Sequence, residues 1–169
     1  AINRCAVKLG LISLHPTGVT KLIDKEKRFP RKDTLSNIIS VSVNKHVRIE
    51  DVIKRECPHF LEYAEDIEKL RKEYVEYKIN KNYMDYDDLL VYLKMLLEVD
   101  EARAKLSEKY KYIMVDEYQD TNMLQGDIAY LLAKEHKNIM VVGDDAQSIY
   151  GFRGSSHKNI MEFPRKFDS

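Results

Sequence analysis

The chain has 169 residues, 44% of them hydrophobic and 33% charged, and its 28 Lys and Arg balance 28 Asp and Glu to a net charge of zero. A chain of this length can bury a sizeable core as one domain or two small ones, and it holds no apolar run near the roughly 18 residues that a membrane span requires. Cys5 and Cys57 stand far apart with no zinc-ligand spacing, so they read as reduced thiols of a cytoplasmic protein rather than as a disulfide or metal framework.

The first eighty residues read as short helices broken by Gly10, Pro16, Pro30 and Pro58, with no obvious strand. Charge is uneven: residues 1–60 hold 12 Lys and Arg against 6 Asp and Glu, and residues 61–169 hold 16 against 22. A basic face that includes Lys25, Lys27, Arg28, Arg31 and Lys32 suits phosphate contact; solvated helix faces account for it nearly as well. The longest helix is expected from Phe60 to Asn80, where Leu61, Ala64, Ile67, Leu70, Tyr74 and Tyr77 recur at spacings of three and four and mark a core face. Asn82 to Asp85 reads as a hinge, after which Asp85 or Asp87 caps a helix carrying Leu89, Leu90, Leu93, Leu96 and Leu97. A short helix near Glu101 to Lys109 follows, then strand 111–115, helix 123–135, strand 138–142 and a last helix from about Ser156. Five scattered histidines, His15, His46, His59, His136 and His157, read as surface or packing residues.

Two stretches carry the chemistry. In each, an apolar run of strand length (Ile113 to Val115, Ile139 to Val142) lacks the alternation of a half-wet strand, which suits a parallel strand buried on both faces. Polar residues then follow just beyond the strands' carboxyl ends, where α/β sheets bind ligands. Asp116 can hold a Mg²⁺ through its waters, since this hard ion keeps much of its hydration and needs one or two carboxylates plus phosphate oxygens. Glu117 can orient or deprotonate a water in line with a leaving phosphate oxygen. A solvated acidic turn is the competing reading. Beyond the second strand, Gly143 permits a tight exit and Asp144, Asp145, Gln147 and Ser148 crowd one loop. Tyr150, Phe152 and Arg153 then stand beside Gly151 and Gly154, as rings that bases could stack on or as ordinary core aromatics.

Asp116-Glu-Tyr-Gln-Asp-Thr-Asn122 followed about 20 residues later by Val142-Gly-Asp-Asp-Ala-Gln-Ser-Ile-Tyr-Gly-Phe-Arg-Gly-Ser155 closely resembles motifs II and III of the UvrD/Rep family of superfamily 1 DNA helicases. Met84-Asp-Tyr-Asp-Asp-Leu-Leu90 is similar to that family's Asp-Phe-Asp-Asp-Leu segment, and Pro30 to Lys78 to its helical 1B subdomain. The resemblance implies an α/β fold in which residues 1–81 form a helical accessory subdomain and 82–169 part of a RecA-like motor domain with a parallel sheet of the P-loop NTPase type. It implies ATP and Mg²⁺ as cofactors and single-stranded DNA and duplex junctions as partners, with movement 3′ to 5′. By position, Asp116 matches the Mg²⁺-associated acid, Glu117 the catalytic base and Gln147 the γ-phosphate sensor. Gln119 and Asp120 match residues that connect the nucleotide pocket to DNA. Tyr150 and Phe152 match base-stacking positions, Arg153 lies alongside, and Tyr86 matches an aromatic at the border of the same track. The chain departs from the family at Phe152, often Trp, and at Ala146, often Asp.

A Gly-x-x-x-x-Gly-Lys-Ser/Thr phosphate loop occurs nowhere in the 169 residues, and the chain opens at Ala1 without an initiator Met. The expectation is a fragment of a helicase that is inactive alone, with the phosphate loop and the second motor domain outside it. The alternatives are part of a helicase-nuclease subunit, or a non-catalytic DNA-binding relative, against which the intact Glu117 and Gln147 argue.

Overall fold

The computed structural model describes residues 1–14, 20–21 and 29–144, with the backbone alone for 13, 14, 20 and 21. These residues are mostly helical, with one antiparallel and one parallel strand pair. They form two compact units: the first comprises Ala1–Ser42 and Val47–Met84, the second Val43–His46 and the described chain from Asp85 onward.

In the first unit, α1 (Ile2–Lys8) leads to strands β1 (Ser13–Leu14) and β2 (Thr20–Lys21), paired antiparallel. Next come α2 (Lys32–Lys45), whose last turn belongs to the second unit, and α3 (Ile49–Glu56). A 3₁₀ turn over Pro58–Tyr63 then enters α4 (Ala64–Lys81). Ile2, Leu35, Ile38, Ile53, Ile67 and Leu70 build the core, and the free thiols Cys5 and Cys57 are buried in it. Burial pushes both thiols above their ordinary range, with the Glu73 charge adding to the effect at Cys5. Helix α4 ends where Asn82 takes a left-handed conformation (φ 52°) and the Tyr83 amide donates to the Lys78 carbonyl at 2.9 Å. Asn tolerates that geometry better than most residues.

The second unit begins with α5 (Tyr86–Glu98) and α6 (Asp100–Lys109). Asp85 caps α5: its carboxylate accepts from the Asp88 amide while Asp88 accepts from the Asp85 amide, so two otherwise orphaned donors are satisfied. Strand β3 (Ile113–Val115), a 3₁₀ turn (Tyr118–Asp120), α7 (Met123–Ala133) and β4 (Ile139–Val141) follow. Asn122 and Gln125 form the matching box on α7. Helix α7 packs on α5, α6 and β3 around Leu97, Leu124 and Ile128. The buried Arg103 guanidinium ties α6 to the end of α7, donating to Glu135 at 2.7 Å, to Asp100 at 2.6 Å and to the Leu97 carbonyl at 3.1 Å. Strands β3 and β4 run parallel with Ile113 opposite Ile139 and Val115 opposite Val141. Their ladder continues past the strands, through Val142 N–H to Val115 O (2.8 Å) and Tyr118 N–H to Val142 O (2.9 Å).

Four local expectations are corrected. Strands do occur in the first eighty residues, but a two-residue pair is too short to show a period of two. The helix expected from Phe60 opens as 3₁₀ at Pro58, and only from Ala64 is it α-helical. That offset turns Leu61 outward, 38% exposed, whereas Ile67 and Leu70 are fully buried. On α5, Leu97 is fully buried while Leu89 and Leu96 are each 50% exposed. The parallel strands are not buried on both faces: Met114 and Met140 lie open at 73% and 53%, because alternating side chains of a strand point to opposite faces and α7 packs against one strand of the pair. The helix expected from Ser156 lies outside the described residues.

Leu70→Ala should therefore cost about 2–5 kcal/mol of stability, the range for emptying a buried leucine site. Leu61→Ala, on the same sequence stripe, should cost about 0.5 kcal/mol or less. Denaturant midpoints of the two variants check the difference, and equal costs would place Leu61 in the core.

Candidate functional site

Asp116 and Glu117 leave β3 as exposed carboxylates at the strand's carboxyl end. Glu117 takes a left-handed backbone conformation, φ 50° and ψ 43°. For a residue with a Cβ this costs about 1–3 kcal/mol and persists where its surroundings impose it. Two bonds accompany it here: the Glu117 amide donates to Asp116 Oδ1 at 2.9 Å, and Gln119 Nε2 donates to Glu117 Oε2 at 2.5 Å. The second is a charge-assisted bond to an ionised acceptor, the stronger class of hydrogen bond.

Gln119 is buried, 2% exposed, in the 3₁₀ turn. Its Nε2 holds Glu117, and its Oε1 accepts the Asp144 amide at 3.0 Å, just past the end of β4. One carboxamide thus joins the exits of both strands. Gly143 makes room for it. A Cβ at that position would stand 2.7 Å from Gln119 Oε1 and 3.2 Å from the backbone nitrogens of Tyr118 and Gln119. Asp120 Oδ1 is buried with no hydrogen-bond partner among the described residues, an acceptor suited to a donor brought by another segment, since an unmet buried polar atom costs about 1–3 kcal/mol. Tyr118 is buried close to it in sequence; burial, and then the Asp127 charge, pushes its phenol above the ordinary range.

Of the residues singled out from sequence, Asp116, Glu117, Gln119 and Asp120 occupy this one strand-end segment. Tyr86 stands in the first turn of α5, 88% exposed, with its ring open to solvent. Gln147, Tyr150, Phe152 and Arg153 lie outside the described residues. Sequence reasoning missed two features. The recess that Gly143 provides for Gln119 leaves no local pattern, because the two residues meet only through the strand pairing. The Asn122 cap was visible in principle, since Asn followed three residues later by Gln is a capping-box signature, but its side-chain bond to Asn44 (3.0 Å) had no signal at all. The described residues contain no group of three His, Cys, Asp or Glu placed to hold a metal. Asp116 fits a hydrated Mg²⁺ in the looser sense that this ion needs: the exposed carboxylate has acceptor sites beyond the one used by the Glu117 amide.

The Gln119 junction predicts its own test in the 169-residue chain. Gly143→Ala should displace the Gln119 carboxamide and speed hydrogen exchange at the Asp144 amide about 2-fold to 10-fold, the equivalent of one net hydrogen bond. Gln119→Ala should do the same, and combining the two should add nothing. Additive effects would mean that Gly143 serves the backbone rather than Gln119.

The chain matches the UvrD/REP helicase N-terminal domain over residues 12–168. It is 46% identical over 98 residues to a protein of Rickettsia conorii described as a probable DNA helicase II homolog, covering 56% of this chain and 15% of the relative. With the ATP-dependent DNA helicase PcrA of Staphylococcus aureus it shares 46% identity over 85 residues, 50% of this chain and 12% of the relative. DNA helicase II of Rickettsia typhi is 45% identical over 98 residues. The chain thus spans a small part of the length of these relatives. No helix among the described residues is long and apolar enough to cross a membrane. Coverage of almost the whole chain by a single family leads to one assignment: the chain belongs to the UvrD/REP helicase family, within its N-terminal domain.

Proposed function

We propose that the chain is the part of an ATP-dependent DNA helicase that activates the attacking water and passes the state of the nucleotide to DNA. The observation that carries this reading is the left-handed Glu117, clamped by Gln119 to the start of the loop after β4. A solvated acidic turn would have no need of a buried carboxamide that joins it to the exit of the neighbouring strand. Residues 82–169 are read as part of a RecA-like motor domain, and residues 1–81 as a 1B-like accessory subdomain.

In this reading Glu117 takes up the proton of a water in line with the γ-phosphate, and Gln119 holds the carboxylate in place for it. Asp116 would hold a hydrated Mg²⁺, which supplies charge neutralisation on the phosphate oxygens when bound. Gln119 and Asp120 connect this pocket to the DNA side, through the Asp144 amide in the first case and the unmet Asp120 oxygen in the second. Gln147 is assigned as γ-phosphate sensor from its position in the motif. Tyr150, Phe152 and Arg153 are assigned to single-stranded DNA, with Tyr86 at the border of the same track; its exposed ring supports that role. The substrates proposed are ATP and single-stranded DNA at duplex junctions, with 3′ to 5′ movement.

Four outcomes are expected. The 169-residue chain alone should show no DNA-stimulated ATP hydrolysis, because a base and a Mg²⁺-associated acid cannot position a triphosphate without a phosphate cradle; robust turnover that Glu117→Gln abolishes would overturn this. In the longer protein that carries the segment, Glu117→Gln should lower hydrolysis by about 10²–10⁴-fold, the contribution of a general base, with nucleotide binding retained. An unchanged turnover number would reduce Glu117 to a strand-end acid. Within the same protein, Phe152→Ala should weaken single-strand binding by about 1–3 kcal/mol, whereas Gln147→Ala should lower DNA-stimulated hydrolysis at near-normal affinity. Binding isotherms on oligothymidine beside ATPase rates separate the two, and identical effects would remove the aromatic from the DNA path.

A further inference from the structure

Asn44, in the last turn of α2 and outside every motif, is 6% exposed and sits within the second unit. Its Nδ2 donates to Asp87 Oδ1 at 2.8 Å, and its Oδ1 accepts from Asn122 Nδ2 at 3.0 Å. Asn122 Oδ1 in turn accepts the Gln125 amide at 2.9 Å. The orientation of both carboxamides follows from the ends of this chain of bonds. Asp87, as a carboxylate, can only accept, and the Gln125 backbone N–H can only donate, so each amide between them has one self-consistent arrangement. The link has no slack: turning either amide over would leave two like groups facing each other.

Its ends matter for function. Asp87 directly follows Tyr86 in the first turn of α5, and Asn122 lies two residues after Asp120 at the start of α7. We infer that Asn44 is a positioning residue that holds the end of the Glu117–Asp120 segment in register with the first turn of α5, so that DNA contact at Tyr86 is coupled to hydrolysis at Glu117. This rests on the proposed roles of Glu117 and Tyr86. It adds a second connection between nucleotide and DNA, separate from the motif that carries Gln147.

Exchanging the chemistry of the pair tests the link. Asn44→Asp keeps an acceptor for Asn122 but sets a second carboxylate against Asp87, whereas the double variant Asn44→Asp, Asp87→Asn restores a donor facing an acceptor with the charge of the original pair. In the longer protein, Asn44→Asp should lower the ratio of DNA-stimulated to DNA-free ATP hydrolysis about 5-fold to 10-fold, while the DNA-free rate and the KM for ATP stay within about twofold, as expected of a coupling residue. The double variant should recover the ratio. Asp87→Asn alone, still an acceptor for Asn44, should behave as the unsubstituted protein does. The inference is overturned if Asn44→Asp leaves the ratio unchanged, if both rates fall in parallel as a loss of folded protein would make them, or if the double variant does not recover. Absence of DNA-stimulated hydrolysis in the unsubstituted protein, or full hydrolysis by Glu117→Gln, overturns the functional reading and this inference with it.

Discussion

Buried between the carboxyl ends of two parallel strands, the Gln119 carboxamide donates to the Glu117 carboxylate and accepts the Asp144 amide. Removing it from water is tolerable because the amide nitrogen and the carbonyl oxygen both find partners. The arrangement depends on a missing atom on the other strand, since Gly143 alone leaves space where any Cβ would meet the amide oxygen at 2.7 Å. The left-handed turn at Glu117 lies beside it. Strain at Glu117 and burial at Gln119 are two sides of one constraint, which places a carboxylate in solvent with its direction already chosen.

Around this junction two helices of the second unit start in the same manner. Helices α5 and α7 both begin with a capping box, built from Asp85 and Asp88 in one and from Asn122 and Gln125 in the other. Asn44 then reaches both helix starts. Hydrophobic contact between helices permits some sliding, whereas a hydrogen-bonded network of fixed donor and acceptor order permits little. The packing of Leu97, Leu124 and Ile128 supplies cohesion, and the polar links supply register. Placing exposed carboxylates on a turn held at both sides by such links follows the general arrangement of α/β proteins, in which a rigid scaffold carries polar groups on its connections.

The UvrD/REP helicase family match covers the segment that holds this junction. The carboxylate, carboxamide and backbone amide of Glu117, Gln119 and Asp144 form one short hydrogen-bonded path, and the Asp87, Asn44 and Asn122 bonds form another.

The signature residues were legible in the sequence because their chemistry is local. An apolar run followed by Asp116 and Glu117, and a second followed by Gly143 and Asp144, place polar groups at strand ends whatever the rest of the chain does. The cap of α5 was legible for the same reason, since Asp85 satisfies orphaned amides within its own first turn. Burial was not. Leu61 and Ile67 share one periodic stripe, yet one is open and the other fully buried, because the 3₁₀ entry at Pro58 shifts the phase of the helix. Met114 and Met140 sit in uniformly apolar runs, and only the packing of α7 decided which side of the strands was covered. Most remote of all from the sequence were the contacts of Gln119 with Gly143 and of Asn44 with Asn122. Their partners lie 24 and 78 positions apart, and no local pattern announces a hydrogen bond that exists only after strands and helices have been brought together. Sequence decided which groups were available for chemistry, and tertiary structure decided which way they point, because direction comes from neighbours that the chain supplies from far away.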